Sequence, residues 1–206
     1  MSSLPDFENA ARHAVEQLKQ KLPLIYTYHS LWHTRDEVVK MVERLVNLEG
    51  INGEDRTLVL TGAYFHDIGF TQQRENHELV GVQYINRVLP QFGYSPEQLK
   101  VIEGIILATR IPQLPRNRLE EIVADADLDT LGRVDFWNRS LALRTEMAML
   151  GMYFSDQEWC NRQHGFLRQH HYFTASAKLL RDEQKQNNIT FLIERCRECC
   201  PDGGWF

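Results

Sequence analysis

Three short stretches of the chain gather residue types that bind metal ions or move protons. They are Tyr28-His29-Ser30-Leu31-Trp32-His33-Thr34, His66-Asp67-Ile68-Gly69-Phe70 and Val123-Ala124-Asp125-Ala126-Asp127-Leu128. Ile122, Val123, Ala124, Ala126, Leu128 and Leu131 surround Asp125, so its helix is apolar nearly all round and expected to be buried. A carboxylate there is costly unless it is paired or bound to a cation. His66 and Asp67 pose the same problem at the end of the apolar run from Leu58 to Phe65. Two imidazoles and two carboxylates make a mixed nitrogen–oxygen donor set that suits divalent ions such as Zn, Mn, Fe, Co or Ni. Each group could equally be satisfied alone by a backbone atom or an arginine, and spacing alone does not bring the four together. Asp127 stands about 200° around a helix from Asp125, off the same ligand face. It is read as a partner for an arginine or as support behind the ligands. His29 and His33 share the spacing of a zincin helix, but Ser30 occupies the place where that mechanism needs a glutamate base, which rules it out.

Helical periodicity governs the segments that must position these residues. From Thr34 to Leu48, Val38, Met41, Val42, Leu45 and Val46 recur at spacings of three and four, and Gly50 follows. Further helices are expected over Glu54–His66, closed by Gly69, and Asn76–Leu89, stopped by Pro90. Ser95 as N-cap and Pro96 at the first position start another, which ends near Thr109 because Pro112 and Pro115 forbid continuation. Leu119–Leu131, broken by Gly132, and Leu141–Leu150 come next. A long helix follows the capping box of Ser155 and Glu158 and reaches about Arg181. Asn187 and Asn188 separate it from a last one over Phe191–Cys199. No linker or repeat divides the chain, which reads as one all-α domain over residues 1–206.

Composition narrows the function. The 206 residues carry 23 basic and 28 acidic side chains, a net charge of −5, with no Lys/Arg block. That argues against broad nucleic-acid or anionic-membrane binding and leaves room for a local pocket that takes one small anion. The apolar stretch around Gly104–Thr109 is bounded by Glu103 and Arg110, far short of the ~18 residues needed to cross a bilayer. Asp6 and Glu8 precede the first basic residue, unlike a secretory signal. The four cysteines, Cys160, Cys196, Cys199 and Cys200, all lie late in the chain and cannot staple the core, so a reducing, cytoplasmic setting is expected.

In order and context, His33, His66-Asp67 and Asp125 resemble the H…HD…D signature of the HD-domain superfamily of metal-dependent phosphohydrolases. Tyr28-His29-Ser30-Leu31-Trp32-His33-Thr34 is similar to that superfamily's YHN-x-x-HT form, and His66-Asp67-Ile68-Gly69 is the commonest form of its HD word. The resemblance covers about residues 25–135 and implies an HD-domain-like helical bundle, with additional C-terminal packing helices over about 136–200. It implies a metal held by His33, His66, Asp67 and Asp125. The sequence departs from the pattern at Ser30, where the related word has Asn, and at Thr109, where dinuclear members have a further histidine. One divalent ion (Mn, Zn, Co, Ni, Fe or Mg) is therefore the expectation, with no second metal.

The chemistry implied is hydrolysis of a small phosphoester, such as a nucleotide, by attack of metal-bound hydroxide on phosphorus. His29, one turn before His33 if both are helical, is the candidate general acid for the leaving alkoxide, and Asp67 doubles as a catalytic group. His77 and Arg110 are candidates for binding the substrate phosphate, Arg110 through its planar fork. Two other chemistries known among relatives, iron-dependent oxidative cleavage and nitrile hydration, use similar ligands, and a non-catalytic metal- or ligand-binding module is the third alternative. Cys196-x-x-Cys199-Cys200 lacks a second ligand pair beyond Cys160 and His164 and is read as reduced thiols. Trp205 and Phe206 are read as packing back on the domain or forming a homodimer contact.

Overall fold

The computed structural model describes residues 5–199, with side chains to residue 197. Among the described residues the chain is all-α, with nine α-helices and no strand. No helix among them is long and apolar enough to cross a membrane. The chain divides into two compact units. One takes the described residues up to Leu24 and resumes over His29–Asp127; the other takes Ile25–Tyr28 and the chain from Leu128 onward.

The first unit contains α1 (Phe7–Lys21), a π-helical turn (His33–Val38) that runs into α2 (Val39–Leu48), α3 (Gly53–Phe65), a 3-10 turn (Ile68–Thr71), α4 (His77–Val88), α5 (Pro96–Ala108) and α6 (Arg118–Asp127). Helix α3 packs against α1, α2, α5 and α6. Its residues Leu58 to Ala63 and Phe65 are accordingly buried on every side. Gly62 makes the α3–α5 crossing this close: a Cβ there would stand 2.4 Å from Cγ2 of Ile105. The core joins Leu18 of α1, Leu58 and Phe65 of α3, Ile85 of α4 and Ile102 and Ile106 of α5. Truncating a fully buried ring such as Phe65 to alanine costs about 3–5 kcal/mol.

Local chemistry sets the helix ends. Ser95 and Gln98 form a reciprocal capping box around Pro96. Thr109 caps the other end of α5, its hydroxyl donating to the Ile106 carbonyl at 2.8 Å. The sequence reading left Phe7–Lys21 without an element. The buried face of α1 is Ala10, Ala11, Ala14 and Leu18, spaced for a helix but too small to stand out as an apolar stripe. Asp6 caps it by accepting from Asn9 N–H at 3.2 Å.

The second unit contains Ile25–Tyr28, a 3-10 turn (Asp129–Gly132), α7 (Phe136–Met149), α8 (Asp156–Gln169) and α9 (Ala175–Cys199). Leu131, Phe136, Leu167 and Leu192 form its core cluster. Tyr28 N–H donates to the Glu146 carboxylate at 2.9 Å, and Thr27 donates to the Ala142 carbonyl at 2.9 Å. The expected long helix from Ser155 to Arg181 is two helices. Helix α8 stops at His170, whose ψ of 143° leaves the helical region, and Thr174 caps α9 by accepting from Ala177 N–H. Conversely, Asn187 and Asn188 do not interrupt α9. Asn188 is buried and donates to the carbonyls of Leu131 at 2.9 Å and Arg133 at 2.8 Å, so a residue read as a breaker pins the preceding turn. Helix α6 also ends earlier than expected, at Asp127, while α7, expected to include Leu141–Leu150, spans Phe136–Met149.

Candidate metal centre

Four side chains meet at one end of α3, from three separate stretches of chain. His33 lies on the π-helical turn, where Val39 N–H reaches back five residues to the Thr34 carbonyl. Wide turns of this kind are frequent at functional sites. Ser30, the departure from the family word, holds the start of this turn, its hydroxyl accepting from His33 N–H at 3.3 Å. His66 and Asp67 follow the last residue of α3, and Asp127 is the last residue of α6. His33 and His66 are fully buried and Asp67 nearly so.

Each imidazole is held by its Nδ1 and presents its Nε2. His33 Nδ1 pairs with the Glu37 carboxylate at 3.1 Å, and His66 Nδ1 donates to the Ala63 carbonyl at 2.8 Å. Such contacts behind a ring fix its tautomer and orientation. His33 Nε2 then lies 3.2 Å from Asp127 Oδ1 and 3.9 Å from Asp67 Oδ2. His66 Nε2 lies 3.2 Å from Asp67 Oδ2 and 3.6 Å from Asp127 Oδ1. One donor atom each from His33, His66 and Asp127 fall within 4.8 Å of one another.

These residues fit a divalent ion. Ligands about 2.1 Å from a metal stand roughly 3–3.5 Å apart as neighbours in its coordination shell, near the spacings found here. His66 Nε2 and Asp67 Oδ2 are buried and neither finds a hydrogen-bond partner; their mutual approach lacks the required alignment. Lone pairs on neutral imidazoles facing carboxylates need a positive charge between them. With no cation, protons supply it. Burial alone would push His33 down, but its hydrogen bonds to Asp127 and Glu37 and the charge of Asp67 outweigh that and raise its pKa to about 9. For His66, burial again opposes, and the Asp67 and Asp127 carboxylates raise it well above the ordinary imidazole range. Burial works against ionised Asp127 too, yet the two histidines lower its pKa to about 2.

The carboxylate beside His33 and His66 is Asp127, a correction to the expectation that named Asp125. Residues two apart point about 200° apart on a helix, so one of the pair can face the cluster. Asp125 is fully buried within α6 but is not among the clustered donors. Its burial, the signal that recommended it, is shared with Ile122, Val123, Ala124 and Ala126 and does not distinguish directions.

His29 precedes the helical turn rather than lying on it, but its ring still comes within 6.2 Å of the His33 ring, edge-on. His77, the first residue of α4, places Nε2 at 3.6 Å from both Asp67 Oδ1 and Glu78 Oε1. Arg110 is exposed and donates to Asn76 Oδ1 at 3.1 Å, which brings its guanidinium to the residue just before His77. Sequence reading missed Glu37, although its position four residues after His33 on a helical turn was a usable signal, and it missed Phe70. Cys160 and Cys196 are buried and belong to no metal-type cluster among the described residues. Cys200, Trp205, Phe206 and the side chain of Cys199 lie outside the described residues.

Comparison with known proteins bears on this cluster. The family model for the HD domain matches residues 33–130, from the first clustered histidine to just past Asp127. An uncharacterized protein of Clostridium beijerinckii is 33% identical over 85 residues, 40% of this chain and 53% of that protein. The chain thus spans about half the length of the curated relative it matches. A crystal structure from Lactobacillus plantarum superposes with a TM-score of 0.70 at 17% identity, covering 98% of this chain and all of the other. Bacillus subtilis YpgQ, crystallised in complex with ADP, gives 0.63 at 18% identity, covering 94% and 98%. At these identities the two structures share the fold.

Proposed function

We propose that this chain, whose residues 33–130 match the model of the HD domain, is a metal-dependent phosphohydrolase of that superfamily that hydrolyses a small phosphoester, a nucleotide being the leading class. The observation that carries the reading is the convergence of His33, His66 and Asp127 donor atoms within 4.8 Å, with Asp67 beside them. The ADP bound to YpgQ, a relative in fold, supports the nucleotide class. His33, His66, Asp67 and Asp127 would hold the ion. A divalent ion bound there supplies a water of lowered pKa and a positive charge for phosphoryl oxygens.

The remaining steps belong to the chain's own side chains. Glu37 and the Ala63 carbonyl keep the two ligand imidazoles in the tautomer that offers Nε2. His29, its ring half-buried beside that of His33, delivers a proton to the departing alkoxide. His77 and Arg110 flank the start of α4 and bind the phosphate oxygens, Arg110 leaving Asn76 to do so.

Protein purified without chelator is assayed for metal by elemental analysis and for phosphate release from a panel of nucleotides and sugar phosphates. Bound divalent metal with turnover of a phosphoester, both lost in His66→Ala, is the expected result. Metal with no turnover across the panel overturns the hydrolase reading in favour of a binding module. Two irons per chain with oxidative products overturn it in favour of an oxygenase.

A further inference from the structure

Phe70 is buried, 3% exposed, on the 3-10 turn that follows Asp67. Its ring stacks on the His77 imidazole at 3.9 Å between centroids and 27° between planes, and on the His29 imidazole at 4.5 Å and 23°. The two imidazoles stand 6.4 Å from one another. One aromatic ring therefore contacts both histidines assigned to substrate chemistry, which come from an irregular stretch before the π-helical turn and from the first residue of α4.

The surroundings hold this ring in place. Its neighbour Gly69 abuts the His77 backbone so closely that a Cβ would come within 1.9 Å of the His77 carbonyl oxygen. The His77 ring is also tethered by Nδ1, which donates to the Arg74 carbonyl at 3.2 Å. A partly exposed imidazole on a bend or at a helix start can rotate about two side-chain bonds, and stacking on a fixed aromatic plane removes that freedom. We propose that Phe70 is a positioning residue that sets His29 and His77 in register with each other and with Asp67. The inference rests on the functional reading above for its catalytic meaning and on the ring geometry alone for its structural content.

The test compares Phe70→Leu, which keeps apolar volume without a ring, with Phe70→Tyr, which keeps the ring. Proton NMR of the Zn-loaded protein reads the imidazole C–H lines of His29 and His77, assigned by their loss in His29→Asn and His77→Asn. Stacking shifts these lines by the ring current of Phe70. Both are expected to move in Phe70→Leu and to stay in Phe70→Tyr. In the phosphate-release assay, Phe70→Leu is expected to lower kcat by about tenfold or more and to raise KM, because both the proton donor and the phosphate binder lose alignment. Phe70→Tyr is expected to restore both. A merely structural loss lowers the active fraction and leaves KM unchanged. Histidine lines unmoved in Phe70→Leu, or a fall in kcat with unchanged KM, overturns the proposal. A wild-type protein that hydrolyses no phosphoester overturns the functional reading instead, and the NMR comparison still decides the register.

Discussion

His33 Nε2 lies 3.2 Å from Asp127 Oδ1, although 94 residues separate the two along the chain. That contact joins the π-helical turn to the last residue of α6, and it distinguishes Asp127 from Asp125 as the carboxylate that meets the histidines.

Asp127→Ala is therefore expected to cut bound metal to a small fraction of the wild-type content, as His33→Ala should. Asp125→Asn changes a buried carboxylate that is not among the clustered donors, so its folded fraction should keep near-wild-type metal. Elemental analysis of the monodisperse fraction of each variant decides it, and the reverse pattern would restore Asp125 as the ligand.

Metal uptake should release protons. His33, with a pKa raised to about 9, and His66, raised as well, both carry protons at pH 7 in metal-free protein, whereas a ligand imidazole must be neutral. Apparent affinity then strengthens as pH rises toward about 9 and weakens as it falls. The stability His33 gives the metal-free fold has the opposite sense: it is present in full below about 6.5 and lost as pH rises through about 9. Zinc titration of chelator-treated protein in weak buffer reads the proton release. Glu37→Gln, which weakens the support behind His33, should reduce affinity about 10- to 100-fold.

Gly69 and Gly62 make different predictions because different atoms oppose them. A Cβ on Gly69 meets the backbone oxygen of His77 at 1.9 Å, whereas one on Gly62 meets the side-chain methyl of Ile105 at 2.4 Å. Side chains repack more readily than backbone moves. Gly69→Ala should cost at least the upper end of the usual ~1–3 kcal/mol for overpacking, and Gly62→Ala less. Thermal unfolding of the two variants side by side tests the order; equal losses would contradict it.

His170 gives the second unit a separate pH dependence. Burial, with lesser contributions from the charges of Lys185 and His171, lowers its pKa to about 3, and neither ring nitrogen finds a hydrogen-bond partner. Above about 6.5 the ring is neutral in both folded and unfolded states. As pH falls from there toward about 3 the unfolded chain takes up a proton that the folded one refuses, so stability declines. The loss should approach ~2 kcal/mol between pH 7 and pH 5. His170→Leu should flatten this decline in urea unfolding, and a variant as pH-sensitive as the wild type would dismiss His170 as its source.

Much of this architecture was legible before folding. The N-cap of Ser95 before Pro96 and the capping box of Ser155 with Glu158 are local signals and both form as read, and Gln98 completes a second box with Ser95. The helices of the first unit after α1 were visible because their apolar residues are large. Helix α1 was not, because its buried face is mostly alanine. The break at His170 and the continuity through Asn188 ran against local expectation. There the polar side chain found partners, the carbonyls of Leu131 and Arg133, that exist only once the second unit has assembled.

The chain by itself determined which kinds of group are available: imidazoles at His29, His33, His66 and His77, and carboxylates on apolar helices, in an order that matches a known signature. Burial without compensation is unfavourable whatever the fold, so each of those residues called for a partner or a cation, without spacing alone saying which. Tertiary structure decided which of them meet. A helix turns every side chain to its own direction, and whether Asp125 or Asp127 faces His33, or whether Phe70 lies between His29 and His77, depends on the rotation and depth at which α6, α3 and α4 pack. Those variables are set by the summed packing of the core, and no short stretch of residues encodes them.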